Sequence, residues 1–401
     1  MRRRLNGDAV TRVRAISNSA DVAADSTLRH RRSYTNVGLR PVLEVGFLVV
    51  PALIAPLLVF KYLTGSYHEH PLVMAGKYYP DGGFLFDLHV LWQAGHDVVT
   101  GHSPYPFVYP APAAILMVPF GALPWKVAVV VFSLVVMATA MLTLRVLGVR
   151  DWRCYGAALG SLPGVTAVTA GTLSWPLALC AALAWRYRDR RYVAATAIVF
   201  AVVTKLFLWP LAIWLIATRR VRTATTTVAL GITVVIASWS VIGFDGMLSY
   251  PRHLGTIQKF EQEKGYSLFP LMRGIGLSTG SSRIVLLAVT ILVIGAIMQV
   301  GRGPNGDRRA FMATIGAALM LSPIMWPHYL VLLFVVLALV RPRFCAAWAI
   351  PLLYWVLPYL VVPGSYSHVW SILIAAFITL VMWSSTLTGA NSRRALGLAS
   401  P

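Results

Sequence analysis

Acidic side chains are scarce in this sequence: 14 Asp and Glu stand against 35 Lys and Arg in 401 residues. Charge of either sign is thin, at 12% of the chain, while 57% of residues are hydrophobic. Cysteine is nearly absent. Cys154, Cys180 and Cys345 sit in apolar runs, are odd in number and lack CxxC spacing, which argues against a disulfide framework and a zinc site. No Walker loop, dinucleotide fingerprint or G-x-S-x-G occurs, so a soluble-type nucleotide site is not expected. A cleavable signal is missing too, because the basic N-terminal arm is long and no A-x-A follows the apolar run Val45–Phe60. That run is expected to stay as a signal anchor. No repeat of fixed period is visible.

What the chain does have is long uncharged stretches. A hydrocarbon core of about 30 Å needs roughly 20 apolar residues as helix, and several runs approach or exceed this. The fold class is therefore an all-α integral membrane protein, a polytopic helical bundle of about 10–12 membrane segments. The net charge of +21 is positional. Most arginines fall in seven clusters, at 2–40, 145–153, 186–191, 219–222, 302–309, 341–343 and 393–394, and none of the lysines does. Positive charge flanking apolar spans marks the cytoplasmic side, so the charge reports topology, and no nucleic-acid partner is expected. Residues 1–41 read as a disordered basic cytoplasmic arm, 42–392 as one polytopic membrane domain, and 393–401 as a cytoplasmic tail.

Taken in order, spans are expected at about 43–62, 127–144, 223–244 and 284–301, with two more in 344–392. The segments 63–110 and 245–282 are then external, and 111–124 is too short to span and reads as re-entrant or interfacial. Three stretches, 154–185, 192–218 and 310–340, begin and end at arginine clusters, so each must leave the cytoplasm and return. At ~1.5 Å per residue their arms reach only roughly 20–24 Å, short of a full crossing. Their turns belong inside the membrane, where irregular backbone is tolerated only around a protein-enclosed cavity. The first turns near Pro163–Ser174, the second at Lys205 and the third at Ser322–Tyr329. The alternative for 192–218 is one tilted helix.

The longest polar interruption, Asp81–Pro110, holds Asp81, Asp87 and Asp97 and three of the nine histidines. From Phe86 to Val99, Leu88, Leu91, Trp92, Gly95, Val98 and Val99 recur at helical spacing. This describes a short interfacial helix ended by Gly101 and the following prolines. Ionisable groups at membrane depth or facing an external pocket are costly and therefore candidates for function: Asp87, Asp81, Lys205, His328 and Arg273. Each has a plainer role open to it. Asp87 stands where a helix cap is favoured, Lys205 can snorkel, His328 can be an interfacial histidine between Trp326 and Tyr329, and Arg273 can anchor a helix end. His68, Glu69, His70, His89, His96, Asp97 and His102 crowd one loop, but without HExxH or an i, i+4 His pair a metal is not expected.

Four strings in order carry a resemblance. They are Asp87-Leu-His-Val-Leu-Trp-Gln-Ala-Gly with Thr100-Gly-His-Ser-Pro-Tyr105, Tyr109-Pro-Ala-Pro and Pro119-Phe-Gly-Ala-Leu-Pro124; Thr204-Lys205; Tyr266-Ser267-Leu268 with Arg273; and Ser322-Pro323 with Trp326-Pro327-His328-Tyr329. Together they resemble the polyprenyl-phosphate-sugar-dependent glycosyltransferases of the GT-C type, nearest to the α-(1→2)-mannosyltransferases and arabinofuranosyltransferases of actinobacterial lipoglycan assembly. One departure is Gly171-Thr172-Leu173-Ser174, where many members show Gly-Gln and a nearby Asn. The resemblance implies a multi-pass plasma (inner) membrane enzyme with its site facing outside. It would transfer mannose, with arabinofuranose as the alternative, from a polyprenyl phosphate to a lipoglycan or glycolipid with inversion. It implies Asp87 as general base, with His328, Lys205 and Arg273 toward the donor phosphate, and His89, Gln93, Tyr105, Tyr109 and Trp326 toward sugar or acceptor. No cofactor is called for, and a divalent ion is left open. A transporter or flippase is the competing class, since broken helices with ionisable turns also serve midplane transport sites.

The topology has a direct test. Single cysteines in 63–110 and 245–282 are expected to react with an impermeant thiol reagent added outside, and Gly148→Cys and Asn305→Cys to be spared. Labelling of either of the latter from outside overturns the arrangement.

Overall fold

A computed structural model describes residues 39–65, 72–74, 77–79, 84–261, 267–322 and 324–355. The chain divides into two compact units, residues 1–50 and 51–401. Described in the first is the opening half of helix α1 (Leu39–Leu63). Beyond it the helices are α2 (Phe86–Val99), α3 (Ala111–Gly121), α4 (Trp125–Val146), α5 (Trp152–Gly160), α6 (Leu162–Thr169), α7 (Ser174–Arg186) and α8 (Arg191–Thr204). There follow α9 (Pro210–Ala217), α10 (Val221–Val241), α11 (Tyr250–Glu261), α12 (Leu268–Gly274), α13 (Thr279–Gly301), α14 (Gly306–Leu321), α15 (Leu332–Val340) and α16 (Ala346–Ala349). Short 3₁₀ turns lie at Leu206–Leu208, Pro327–Val331 and Ile350–Trp355.

Four helices are long and apolar enough to cross a bilayer: α1 from Val42, α4, α10 and α13. They fall within a few residues of the four expected long spans. The protein is an all-α polytopic membrane protein. Its last two expected spans, within 344–392, lie mostly outside the described residues. Along α10 and α13 the apolar side chains face outward: Val228, Ile232, Ile284, Leu287, Ile291 and Leu292 are all more than half exposed. In water such a surface would be untenable; in lipid it is the solvent-facing side. The interior is built instead from small residues, with Ala178, Ala181, Ala182 and Ala184 of α7 and Ala194, Ala195 and Ala201 of α8 almost fully buried where the two helices pack. Small side chains let membrane helices approach closely enough for dispersion contacts to hold them.

All three short stretches are broken where their lengths require. Helices α6 and α7 form a pair bent by 117° across residues 170–173. Helix α8 stops at Lys205, whose backbone is extended at φ −149°, ψ 98°, before the turn at Leu206–Leu208 and α9; a single tilted helix over 192–218 is thereby overturned. Helix α14 ends at Leu321, and after Ser322 the chain re-enters the 3₁₀ turn Pro327–Val331 and α15. The segment 111–124 contains the 11-residue helix α3, too short to span. It lies against α2, and Gly95 makes that crossing possible: a Cβ there would meet Met117 O at 2.3 Å. One feature went unforeseen, an antiparallel two-strand ribbon of Leu72–Met74 with Lys77–Tyr79 between α1 and α2. Val73, Tyr78 and Tyr79 suit strands, but three residues are too few for a period to show.

At the bend between α6 and α7 stands Gly171, with φ +69°. A Cβ there would lie 2.4 Å from Leu88 Cβ. Both backbone and space therefore demand glycine. Gly171→Ala is expected to lower the unfolding midpoint in detergent by more than the left-handed penalty of about 1–2 kcal/mol. Gly148→Ala, at φ +85° with nothing within 4 Å, isolates that penalty. Equal shifts in the two variants would mean that α2 is not seated on this bend.

Candidate active site

Asp87 is the second residue of α2. The N-cap is Leu85, in the left-handed region at φ 54°, ψ 19°, and its side chain makes no cap hydrogen bond. Its first donors are met by the far end of α6: Leu85 N–H donates to Thr169 O at 2.7 Å, and the Asp87 and Leu88 N–H groups to Ala170 O at 3.0 and 3.3 Å. The two helix ends meet with orphan donors against orphan acceptors. The cap position that spacing left open to Asp87 is thus held by Leu85, with backbone carbonyls as acceptors. A bulky residue at positive φ is strained, and such strain clusters at functional sites.

Around Asp87 the other breaks converge. The 3₁₀ turn Pro327–Val331 packs on both α6 and α7, so the helix that receives α2 also supports the turn that carries His328. His328 Nε2 lies 3.7 Å from Asp87 Oδ2. That is beyond hydrogen-bond length, and the buried Nε2 has no hydrogen-bond partner among the described residues. Lys205 reaches in from the end of α8. Its Nζ lies 4.0 Å from the Tyr329 ring centre and 5.4 Å from that of Tyr109, a two-ring cation–π seat. Phe207 stacks on Tyr329 at 4.8 Å and 10°, and the Tyr329 and His328 rings are 4.7 Å apart. The Asp87 carboxylate acts electrostatically on Lys205, Tyr109 and Tyr329, and Lys205 acts on His328.

Exposure sorts the group. Lys205 and His328 are each 6% exposed, whereas the Asp87 side chain is 21% exposed. A carboxylate at the mouth with an amine and an imidazole behind it can take a proton from an incoming hydroxyl while the deeper groups face an anion. Among the described residues no group of three His, Cys, Asp or Glu side chains stands together. His68, Glu69 and His70 lie outside the described residues, as does Asp81.

The remaining candidates are placed as follows. Tyr109 is in the cluster, beside Lys205. Trp326 holds the N-cap position of the 3₁₀ turn that carries His328. Tyr105 stacks on Trp239 of α10 at 4.8 Å, and its hydroxyl donates to Tyr109 O at 3.3 Å, so it braces the loop. Gln93 donates to Asp97 Oδ1 at 2.7 Å, one turn along α2. His89 packs its ring against Trp125 at 5.0 Å and lies near Trp92. Arg273 donates to Leu277 O at 2.5 Å, at the end of its own short helix. Sequence reading missed Tyr329 and Phe207 as site residues. The available signal was adjacency, one aromatic directly after His328 and one two positions after Lys205.

A family model described as Glycosyltransferase family 87 matches residues 107–327, more than half of the chain. The span includes Tyr109 and Lys205, stops one residue before His328, and begins after Asp87. Neither a curated protein nor a solved structure matches.

Burying an ammonium costs free energy that aromatic faces return only in part. Lys205→Met, close in volume and apolar, is therefore expected to leave the unfolding midpoint in detergent unchanged or raise it by up to about 1 kcal/mol in stability. The Asp87 side chain is 21% exposed, so its carboxylate is not fully buried once the ammonium is gone. A marked fall in the midpoint would assign Lys205 a structural role.

Proposed function

The chain belongs to glycosyltransferase family 87, and on that premise we propose that it transfers mannose from a polyprenyl-phosphate donor to a lipoglycan or glycolipid acceptor. The reaction runs at the extracytoplasmic face with inversion. The observation that carries this reading is the 3.7 Å gap between the partly exposed Asp87 carboxylate and the buried His328 ring, with Lys205 beside them. A membrane enzyme drawing its sugar from a lipid phosphate needs this separation of roles, a base reachable by the acceptor and positive or donor groups where the phosphate departs.

The acceptor hydroxyl oxygen attacks the anomeric carbon as Asp87 takes its proton. The bond from that carbon to the phosphate oxygen breaks, and the electron pair stays on the departing polyprenyl phosphate. Lys205 and His328 stabilise the growing charge in a water-poor site, where such contacts are strongest; Arg273 is a third candidate from the second external segment. The exposed apolar helix faces offer the isoprenoid tail a path in lipid. Tyr329 and Tyr109 are the aromatic faces against Lys205, and Trp326 immediately precedes the turn that carries His328.

Purified protein in lipid is expected to transfer sugar from polyprenyl-phosphate mannose and not from a nucleotide sugar; faster transfer from polyprenyl-phosphate arabinofuranose would reassign the donor. Asp87→Asn should lose ~10²–10⁴-fold in rate with its unfolding midpoint kept. His328→Ala and Lys205→Met should weaken donor use. If Asp87→Asn stays active while Asp81→Asn does not, the base is Asp81. If neither variant loses activity, the glycosyltransfer mechanism drawn here fails.

A further inference from the structure

Away from this site, three of the arginine clusters meet. Asp307, at the start of α14, accepts from Arg188 at 2.8 Å and from both terminal nitrogens of Arg220, at 2.6 and 3.0 Å. Arg220 also donates to Asp189 at 3.1 Å. The Asp307 carboxylate is itself pinned by the Trp214 indole N–H at 2.9 Å. Above this anchored floor lies a hollow of about 450 Å³, lined by Arg188, Asp189, Arg219, Arg220, Arg222 and Thr223. A membrane topology signal needs only positive charge near a helix end; it does not need arginines locked into a wall.

We propose that this hollow binds the phosphate of an anionic phospholipid headgroup. Four guanidinium groups face two carboxylates, so the hollow keeps an excess of two positive charges. Those two belong to Arg219 and Arg222, which are exposed and make no ion pair among the described residues. Guanidinium forks match phosphate oxygens in pairs. Arg219 is presented from a left-handed backbone, φ 59°, a costly conformation for a long side chain. The hollow also sits at the start of the 21-residue helix α10, which has no side-chain cap, so free N–H groups add to the field.

The lipid source follows from what lies below. Val221 forms part of the rim and is 58% exposed, and Val228, Ile232 and Ile236 continue the same exposed stripe down α10. Intervals of seven, four and four residues keep these side chains on one face. A soluble phosphate would have no use for this stripe, whereas an acyl chain would lie along it. Basic pockets at the ends of membrane helices are suited to such headgroups. The hollow is remote from the Asp87 cluster. Trp239, which stacks on Tyr105 beside that cluster, is 18 residues along α10, roughly 27 Å away. The lipid would therefore act as a fixed brace on the arginine-bearing end and not as donor.

The full chain in detergent, titrated with phosphatidylglycerol or phosphatidylcholine and read by native mass spectrometry, tests this. Retention of phosphatidylglycerol over phosphatidylcholine is expected, with a loss of about tenfold or more in affinity for the pair Arg219→Gln/Arg222→Gln. An unchanged unfolding midpoint in lipid-free detergent shows that the variant is folded; if the pair misfolds, Arg222→Gln alone is read the same way. The exposed pair Arg252→Gln/Arg283→Gln should retain lipid as the parent does. Equal loss in that pair, or no preference for the anionic lipid, overturns the proposal. So does binding of pyrophosphate in place of lipid, which would hand the same phosphate chemistry to a soluble anion.

Discussion

Backbone groups freed by a break inside a membrane must find partners within the protein. In this chain the end of α6 finds them in the start of α2. Three hydrogen bonds from Leu85, Asp87 and Leu88 to Thr169 and Ala170 join α2 to the bent pair, and Gly171 leaves Leu88 the room to close. Without that junction α6 would end in bare carbonyls and α2 would begin in bare amides, each costing of order 1–3 kcal/mol if buried. With it, Asp87 is held at the start of α2 beside the end of α6, and the turn bearing His328 packs on the same helix.

The other charges are arranged around this junction. Lys205 sits where α8 gives way to a 3₁₀ turn, and the break that exposes its carbonyl neighbours also frees its side chain to point inward. Tyr109, Tyr329 and Phe207 supply ring faces and edges where a soluble enzyme would use water. The result is a cluster drawn from four separate chain segments, each interrupted at the residue that contributes. Irregularity and ionisable chemistry coincide because the membrane tolerates either one only inside a protein enclosure.

Much of this was legible in the chain, for different reasons at different residues. The limits of α2 could be read from Leu88, Leu91, Val98 and Val99, because amphipathic spacing is local. The breaks at 170–173, Lys205 and 322–326 followed from length arithmetic, since arginines at both ends leave too few residues to cross twice. That Lys205 and His328 would meet was not in any spacing; the expectation rested on each interrupting a short hairpin bounded by arginines, and in the structure the Tyr329 ring that seats Lys205 Nζ also lies against the His328 ring. The capping of α2 was illegible because its acceptors lie more than 80 positions away. Asp307 was passed over for a similar reason: one acid beside Arg308 and Arg309 looks like a topology signal until Arg188 and Arg220 arrive from other loops.

Helix α13 has only 6% of its most apolar window buried inside the protein, against 44% for α4. Most of its apolar surface is thus left for lipid, or for segments outside the described residues, to cover. Its tilt is then set by the few helices it packs against, and a change of bilayer thickness bears on those contacts. Its footing on α12 and α14 passes any such change to the segment carrying Arg273 on one side and to the Asp307 anchor on the other. One sparsely packed helix therefore joins the Arg273 end to the Asp307 end of the molecule.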